Sequence, residues 1–154
     1  MNIFSTLAEK FRNYNNQIII IDGVNTFEII NPFWKENIRL IVKENEIIFC
    51  FSYQHAHFNN DDFDELVEYI NDFLTSKRIV IEFFIEEEHV FGGDREINEN
   101  DILSSENVLK YFFGSNYNSH DNYIRYKSHI INGKKCYCKI RGWNNKNNKD
   151  ITFN

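Results

Sequence analysis

The chain has 154 residues and a mass of 18.5 kDa, with 42% hydrophobic and 16% aromatic side chains and a net charge of -6. That length suits one domain with a real core, the hydrophobe content excludes a disordered chain, and no apolar run reaches the roughly 18–20 residues that span a bilayer. The charge is uneven: residues 1–43 carry +1, residues 44–106 carry -14 from three basic and seventeen acidic side chains, and residues 107–154 carry +7.

Such a field argues against general nucleic-acid binding and for attraction to a basic protein, or for an acidic middle and a basic tail that face each other within the fold. Met1-Asn2-Ile3-Phe4-Ser5 has no basic stretch followed by an apolar run, so it does not read as a signal peptide, and a cytoplasmic location is expected. Cys50, Cys136 and Cys138, an odd number, are expected as free thiols. Heavy use of Asn, Ile, Lys and Phe fits an AT-rich bacterial genome.

In chain order, Ile3, Phe4, Leu7, Ala8 and Phe11 recur at helical spacing and predict a short helix over Ile3–Tyr14. Ile18–Ile21 reads as a buried strand, Asp22-Gly23 as a turn and Phe27–Ile30 as a second short strand. Ile38–Val42 and Ile47–Tyr53 form a hairpin, the second strand carrying Ile47, Phe49, Phe51 and Tyr53 on one face. If that strand stays regular, His55 and His57 continue the same face. Phe63, Leu66, Val67, Ile70, Phe73 and Leu74 make one apolar stripe, which predicts a helix over about Asp62–Ser76, capped by Asn60, Asp61 or Asp62. Arg78–Ile85 alternates as a strand, Glu86-Glu87-Glu88 opens a charged stretch with Gly92-Gly93, and Val108–Phe113 is a short helix or strand.

The last part reads as a hairpin, Tyr123–Ile131 and Lys135–Trp143, turning at Asn132-Gly133. A three-residue loop keeps its faces consistent and gathers Arg125, Lys127, Lys139 and Arg141 on one basic face. No linker or repeat divides the chain. The expectation is one α+β domain over 1–154: a largely antiparallel sheet, a helix packed on one face, a short N-terminal helix, and a loosely ordered polar tail from about 144 to 154.

Three features bear on chemistry. His55-Ala56-His57 on a strand could chelate Zn²⁺, with Asp61, Asp62 or His89 as third ligand; the plainer reading is two histidines hydrogen-bonded to the acidic loop that follows. Cys136-x-Cys138 puts two thiols on one strand face, a spacing for core packing rather than for a C-x-x-C redox or zinc site. Asp61, Glu65, Glu68 and Asp72 line the outer face of the amphipathic helix, and with Glu86, Glu87 and Glu88 they are the candidate partner-binding residues. No nucleophile elbow, phosphate loop, dinucleotide fingerprint or zinc-protease motif occurs, so no catalytic residue and no cofactor are expected.

The run Glu46–Phe58, ending in His55-Ala56-His57-Phe58 before an acidic stretch and an amphipathic helix, resembles small bacterial immunity proteins of polymorphic toxin systems. Lys139-Ile140-Arg141-Gly142-Trp143 is similar to the strand ending in Trp near their C-termini, although here the Gly precedes the Trp. The resemblance covers about Ile38–Ile85 and Ile124–Trp143. It implies a non-catalytic protein that neutralises a cognate toxin by binding it, and it transfers no catalytic residue. The expected partner is a basic protein, a toxin domain, with neither nucleic acid nor membrane, the chain being a monomer or homodimer. The alternative is a metal-dependent enzyme or metal sensor built on His55 and His57.

Overall fold

Apolar residues at every second position build most of this protein, and they assemble into two antiparallel sheets. The computed structural model describes residues 3–21, 25–98 and 100–154; the expected turn at Asp22-Gly23 lies outside them. The class is α+β, as expected, and every strand pairing is antiparallel. The chain divides into two compact units, Met1–Thr75 and Ser76–Asn154.

The first unit opens with helix α1 (Ile3–Lys10), followed by a 3-10 turn over Arg12–Gln17 rather than a helix continuing to Tyr14. Five strands then form a meander in chain order: β1 (Ile18–Ile21), β2 (Thr26–Ile29), β3 (Ile38–Val42), β4 (Glu46–Phe51) and β5 (Gln54–Asn59). The β3–β4 hairpin appears where expected, closed by the Lys43 amide donating to the Glu46 carbonyl at 2.8 Å. The second strand does not run on through the histidines. It stops at Phe51, the chain reverses over Ser52-Tyr53 with Ser52 in the left-handed region (φ 55°), and β5 returns beside β4.

That reversal moves His55 and His57 to the opposite face from the one expected. They pair with Cys50 and Ile48, not with the Phe49 and Phe51 face. The inner face presents Phe27, Leu40, Phe49 and Phe58 to helix α2 (Phe63–Leu74), whose Leu66, Ile70, Phe73 and Leu74 are buried. Phe73 stacks on Phe49 at 5.1 Å and lies 5.3 Å from Phe51. Burial of each such side chain is worth about 1.5–3 kcal/mol before the entropy of ordering it. A 3-10 turn, Asn60–Asp62, leads into the helix, and the Asp62 carboxylate accepts from the Asn59 side chain (3.0 Å) instead of capping α2.

In the second unit β6 (Arg78–Ile85), a strand as expected, is an inner strand of a sheet of order β7-β6-β8-β9. The acidic stretch after β6 is itself a strand, β7 (Glu88–Glu96), reached by a tight turn with Glu86 at φ 56°. Val90 is the extra residue of a bulge, since Phe83 pairs with Phe91 but Phe84 with His89. Two helices follow, α3 (Val108–Phe113) and α4 (Asp121–Ile131), then β8 (Cys136–Arg141) and β9 (Lys149–Phe153).

Three expectations are corrected here. Tyr123–Ile131 is a helix, not the first arm of a hairpin: Tyr123, Tyr126 and Ile130 follow the 3.6 period and pack on the core of the second unit. Asn132-Gly133 stops that helix. Gly133 takes φ 73°, its amide donates to Ile130 O (2.9 Å), and the Lys134 amide donates to His129 O (3.1 Å), the paired bonds of a Schellman motif. The basic face expected of that hairpin is dispersed: Arg125 and Lys127 ride on α4, while Lys139 stands on β8 between Glu82 and Asp150. Residues 149–153 of the expected loose tail form β9, because Ile151 and Phe153, two apart, bury against the core of this unit. Phe83 sits at the centre of that core, 4.7 Å from Phe91 and 5.0 Å from Phe112.

Candidate functional site

The outer stripe of α2 follows directly from its period. With the apolar side turned to the sheet, Asp61, Asp64, Glu65 and Glu68 are exposed and Asp72 is half-buried. From Asn60 to Thr75 the chain has six acidic residues and no basic one. Among the described residues no ion pair forms at Asp61, Asp64, Glu65 or Glu68. Glu86, Glu87 and Glu88 are exposed at the β6–β7 turn of the second unit, where Glu86 accepts the Lys135 amide at 3.2 Å.

Three acids of the second sheet, Asp94, Glu96 and Asp150, are paired with arginine. Arg78 bonds Asp94 and, at 3.0 Å, Glu96; Arg141 bonds Asp150 at 2.6 Å. Lys139 faces Glu82 across the strands while its Nζ lies 4.7 Å over the Phe84 ring. Within the second unit the acidic middle meets the basic end where β6 pairs with β8 and Glu82 stands opposite Lys139, but the arginine ion pairs lie within each segment. Among the described residues Glu86, Glu87 and Glu88 have no ion pair, as Asp61, Asp64, Glu65 and Glu68 have none.

His55 and His57 are exposed on the edge strand β5, their rings 5.4 Å apart. His57 Nδ1 lies 2.7 Å from Glu46 Oε2, and Lys43 Nζ donates to the other oxygen at 2.8 Å. The Lys43 and His57 hydrogen bonds hold the Glu46 carboxyl below its ordinary range. Of the third ligands expected, Asp62 is held by Asn59 and His89 is bonded to Glu82. Among the described residues no three His, Cys, Asp or Glu side chains come together as a metal site.

Cys136 and Cys138 are fully buried in the core of the second unit, as the packing reading expects. Burial pushes the Cys138 thiol up to about 12.

Sequence reading missed the pairing of Glu82 with His89. Glu82 lies on the central strand, 2% exposed; its Oε2 meets His89 Nε2, and its Oε1 has no hydrogen-bond partner among the described residues. Room for the carboxylate comes from Gly92 on the neighbouring strand, where a Cβ would overlap it. Burial raises the Glu82 carboxyl, and the His89 hydrogen bond only partly offsets this. The available signal was a single acid inside the apolar run Ile79–Ile85.

Among the described residues, no helix is long and apolar enough to cross a membrane. Comparisons of the chain with protein-family models, with curated proteins and with solved structures found no match.

Proposed function

We propose that this protein is a non-catalytic, cytoplasmic binding protein that docks a basic partner through the acidic face of α2, in the manner of an immunity protein that neutralises a toxin domain. The observation that carries this reading is the contrast between the two units. Asp94, Glu96 and Asp150 pair with arginine in the second unit, while among the described residues Asp64, Glu65 and Glu68 of α2, with Asp61 in the turn before it, stand exposed with no ion pair on a segment that contains no Lys or Arg. Exposed like charges on one face repel each other at a small cost in stability, and a complementary partner turns that repulsion into faster association and selectivity. The helix is also a firm platform, since its opposite face is locked by Leu66, Ile70 and Phe73.

The test is co-expression with the toxin encoded beside this gene, together with association rates measured at several ionic strengths. A complex that protects growth, and whose association rate falls steeply with salt, supports the reading. Glu65→Gln with Glu68→Gln should slow association about tenfold or more. No complex and no rescue of growth would sink the proposal; a complex indifferent to these substitutions would remove α2 from it.

A further inference from the structure

The histidine pair on β5 carries a second inference, independent of the acidic helix. We propose that His55 and His57 are one half of a zinc-binding site that a second copy of this chain completes, each copy supplying two imidazoles.

Three observations lead there. The first is the spacing. Two imidazoles bound through one nitrogen each to a tetrahedral zinc have ring centres about 5 Å apart, given Zn–N bonds of about 2.0 Å, and the His55 and His57 rings are 5.4 Å apart on the same face of one strand. The second is the support of the ring. Glu46 Oε2 lies 2.7 Å from His57 Nδ1, so the tautomer that donates to this carboxylate turns the Nε2 lone pair outward for a metal. This is the carboxylate–histidine arrangement that orients metal-ligating imidazoles and raises their basicity. Lys43, on the other Glu46 oxygen, fixes the carboxylate in turn.

The third observation is the position of the strand. β5 ends its sheet and is hydrogen-bonded only to β4 among the described strands. Antiparallel pairing of β5 with the same strand of another copy, about a two-fold axis at Ala56, would bring four imidazoles to one face. The opposing Cβ atoms would then lie about 4.5–5.5 Å apart, close enough to share one ion. Four neutral nitrogen donors suit Zn²⁺, and among the described residues of one chain no third ligand joins the pair. Both histidines are exposed, so substituting them leaves the core intact.

The experiment uses full-length protein without a histidine tag, titrated with Zn²⁺ and followed by calorimetry and light scattering. The expected result is one ion per two chains, with the mass rising to twice 18.5 kDa and returning on addition of a chelator. His55→Gln or His57→Gln should abolish both changes without moving the melting temperature of the metal-free protein. Glu46→Gln should weaken zinc about 10–100-fold. Co²⁺ in place of zinc should give the visible bands of a tetrahedral nitrogen site in the wild type and not in the variants. No binding, binding of one ion per monomer, or binding that survives loss of both histidines would overturn the proposal.

Discussion

Tyr126 separates a helix at 121–131 from a hairpin arm more sharply than any other residue. In α4 its ring lies in the core, 1% exposed, and its hydroxyl sits 3.1 Å from the Phe84 carbonyl and 2.9 Å from that of Tyr137, on the paired strands β6 and β8. Tyr126→Phe keeps the ring contacts with Phe83 and Phe153 but removes the one proton those carbonyls share. A net hydrogen bond is worth about 0.5–1.5 kcal/mol, and a buried acceptor left unmet costs about 1–3 kcal/mol. Because one shared proton serves both acceptors, the expected loss is about 1–2 kcal/mol, or about 2–8 °C in melting temperature for a chain of this length. Urea unfolding followed by circular dichroism measures it, with the denaturant slope unchanged. A second readout is independent of stability. Burial lifts the Tyr126 phenol far above the ordinary range, so it does not ionise while the protein stays folded. Phenolate absorbance on alkaline titration should therefore reach the same amplitude in the folded variant as in the wild type. If the variant is as stable as the parent, or its amplitude falls by one tyrosine, the placement of α4 is wrong.

Three further outcomes test the rest of the fold. Burial raises the folded-state carboxyl of Glu82, so the native chain keeps a proton that the unfolded chain has released, and stability is lost as pH rises from the ordinary glutamate value through the raised one. Glu82→Gln should remove that decline; unfolding free energies of the two proteins that differ by a constant from pH 4 to 8 would refute it. Gly92→Ala places a Cβ on the Glu82 carboxylate and 2.8 Å from the Ile81 carbonyl oxygen, which should cost about 1–3 kcal/mol, and a cycle with Glu82→Ala should show strong non-additivity by thermal melting. On α2, Phe73→Ala should destabilise by about 3–5 kcal/mol because Phe73 is fully buried. Glu65→Gln and Glu68→Gln on its outer face should each stay within about 0.5 kcal/mol; equal effects on the two faces would contradict the packing.

The elements read most accurately were those with long, uninterrupted periods. α2 declares its face through several helical repeats, and β3 and β6 are nearly continuous apolar runs that bury as strands, so local composition and packing agree. The errors fall where the signal is short or shared. Ser52-Tyr53 turns without a Gly, Pro, Asn or Asp at its tip, so β4 and β5 looked like one strand and the histidines were assigned to the wrong face. Asn-Gly ends a helix as readily as it turns a hairpin, since both need a residue at positive φ, and here Gly133 does the former. β7 is rich in Glu and Gly and β9 has few apolar residues, so neither alternates strongly enough to stand out.

By itself, then, the sequence determined the α+β class, the amphipathic helix with its acidic outer face, and the central strand of the second sheet, because each follows from periodicity along a continuous stretch. Only the tertiary structure decided which charges are neutralised. The bulge at Val90 shifts β7 by one residue and turns His89 onto the face of Glu82; without it Val90 would stand there instead. Strand pairing brought Lys139 between Glu82 and Asp150, and among the described residues Asp64, Glu65 and Glu68 of α2 form no ion pair. Which face a side chain takes in a sheet is fixed by register, and register is a property of two strands together.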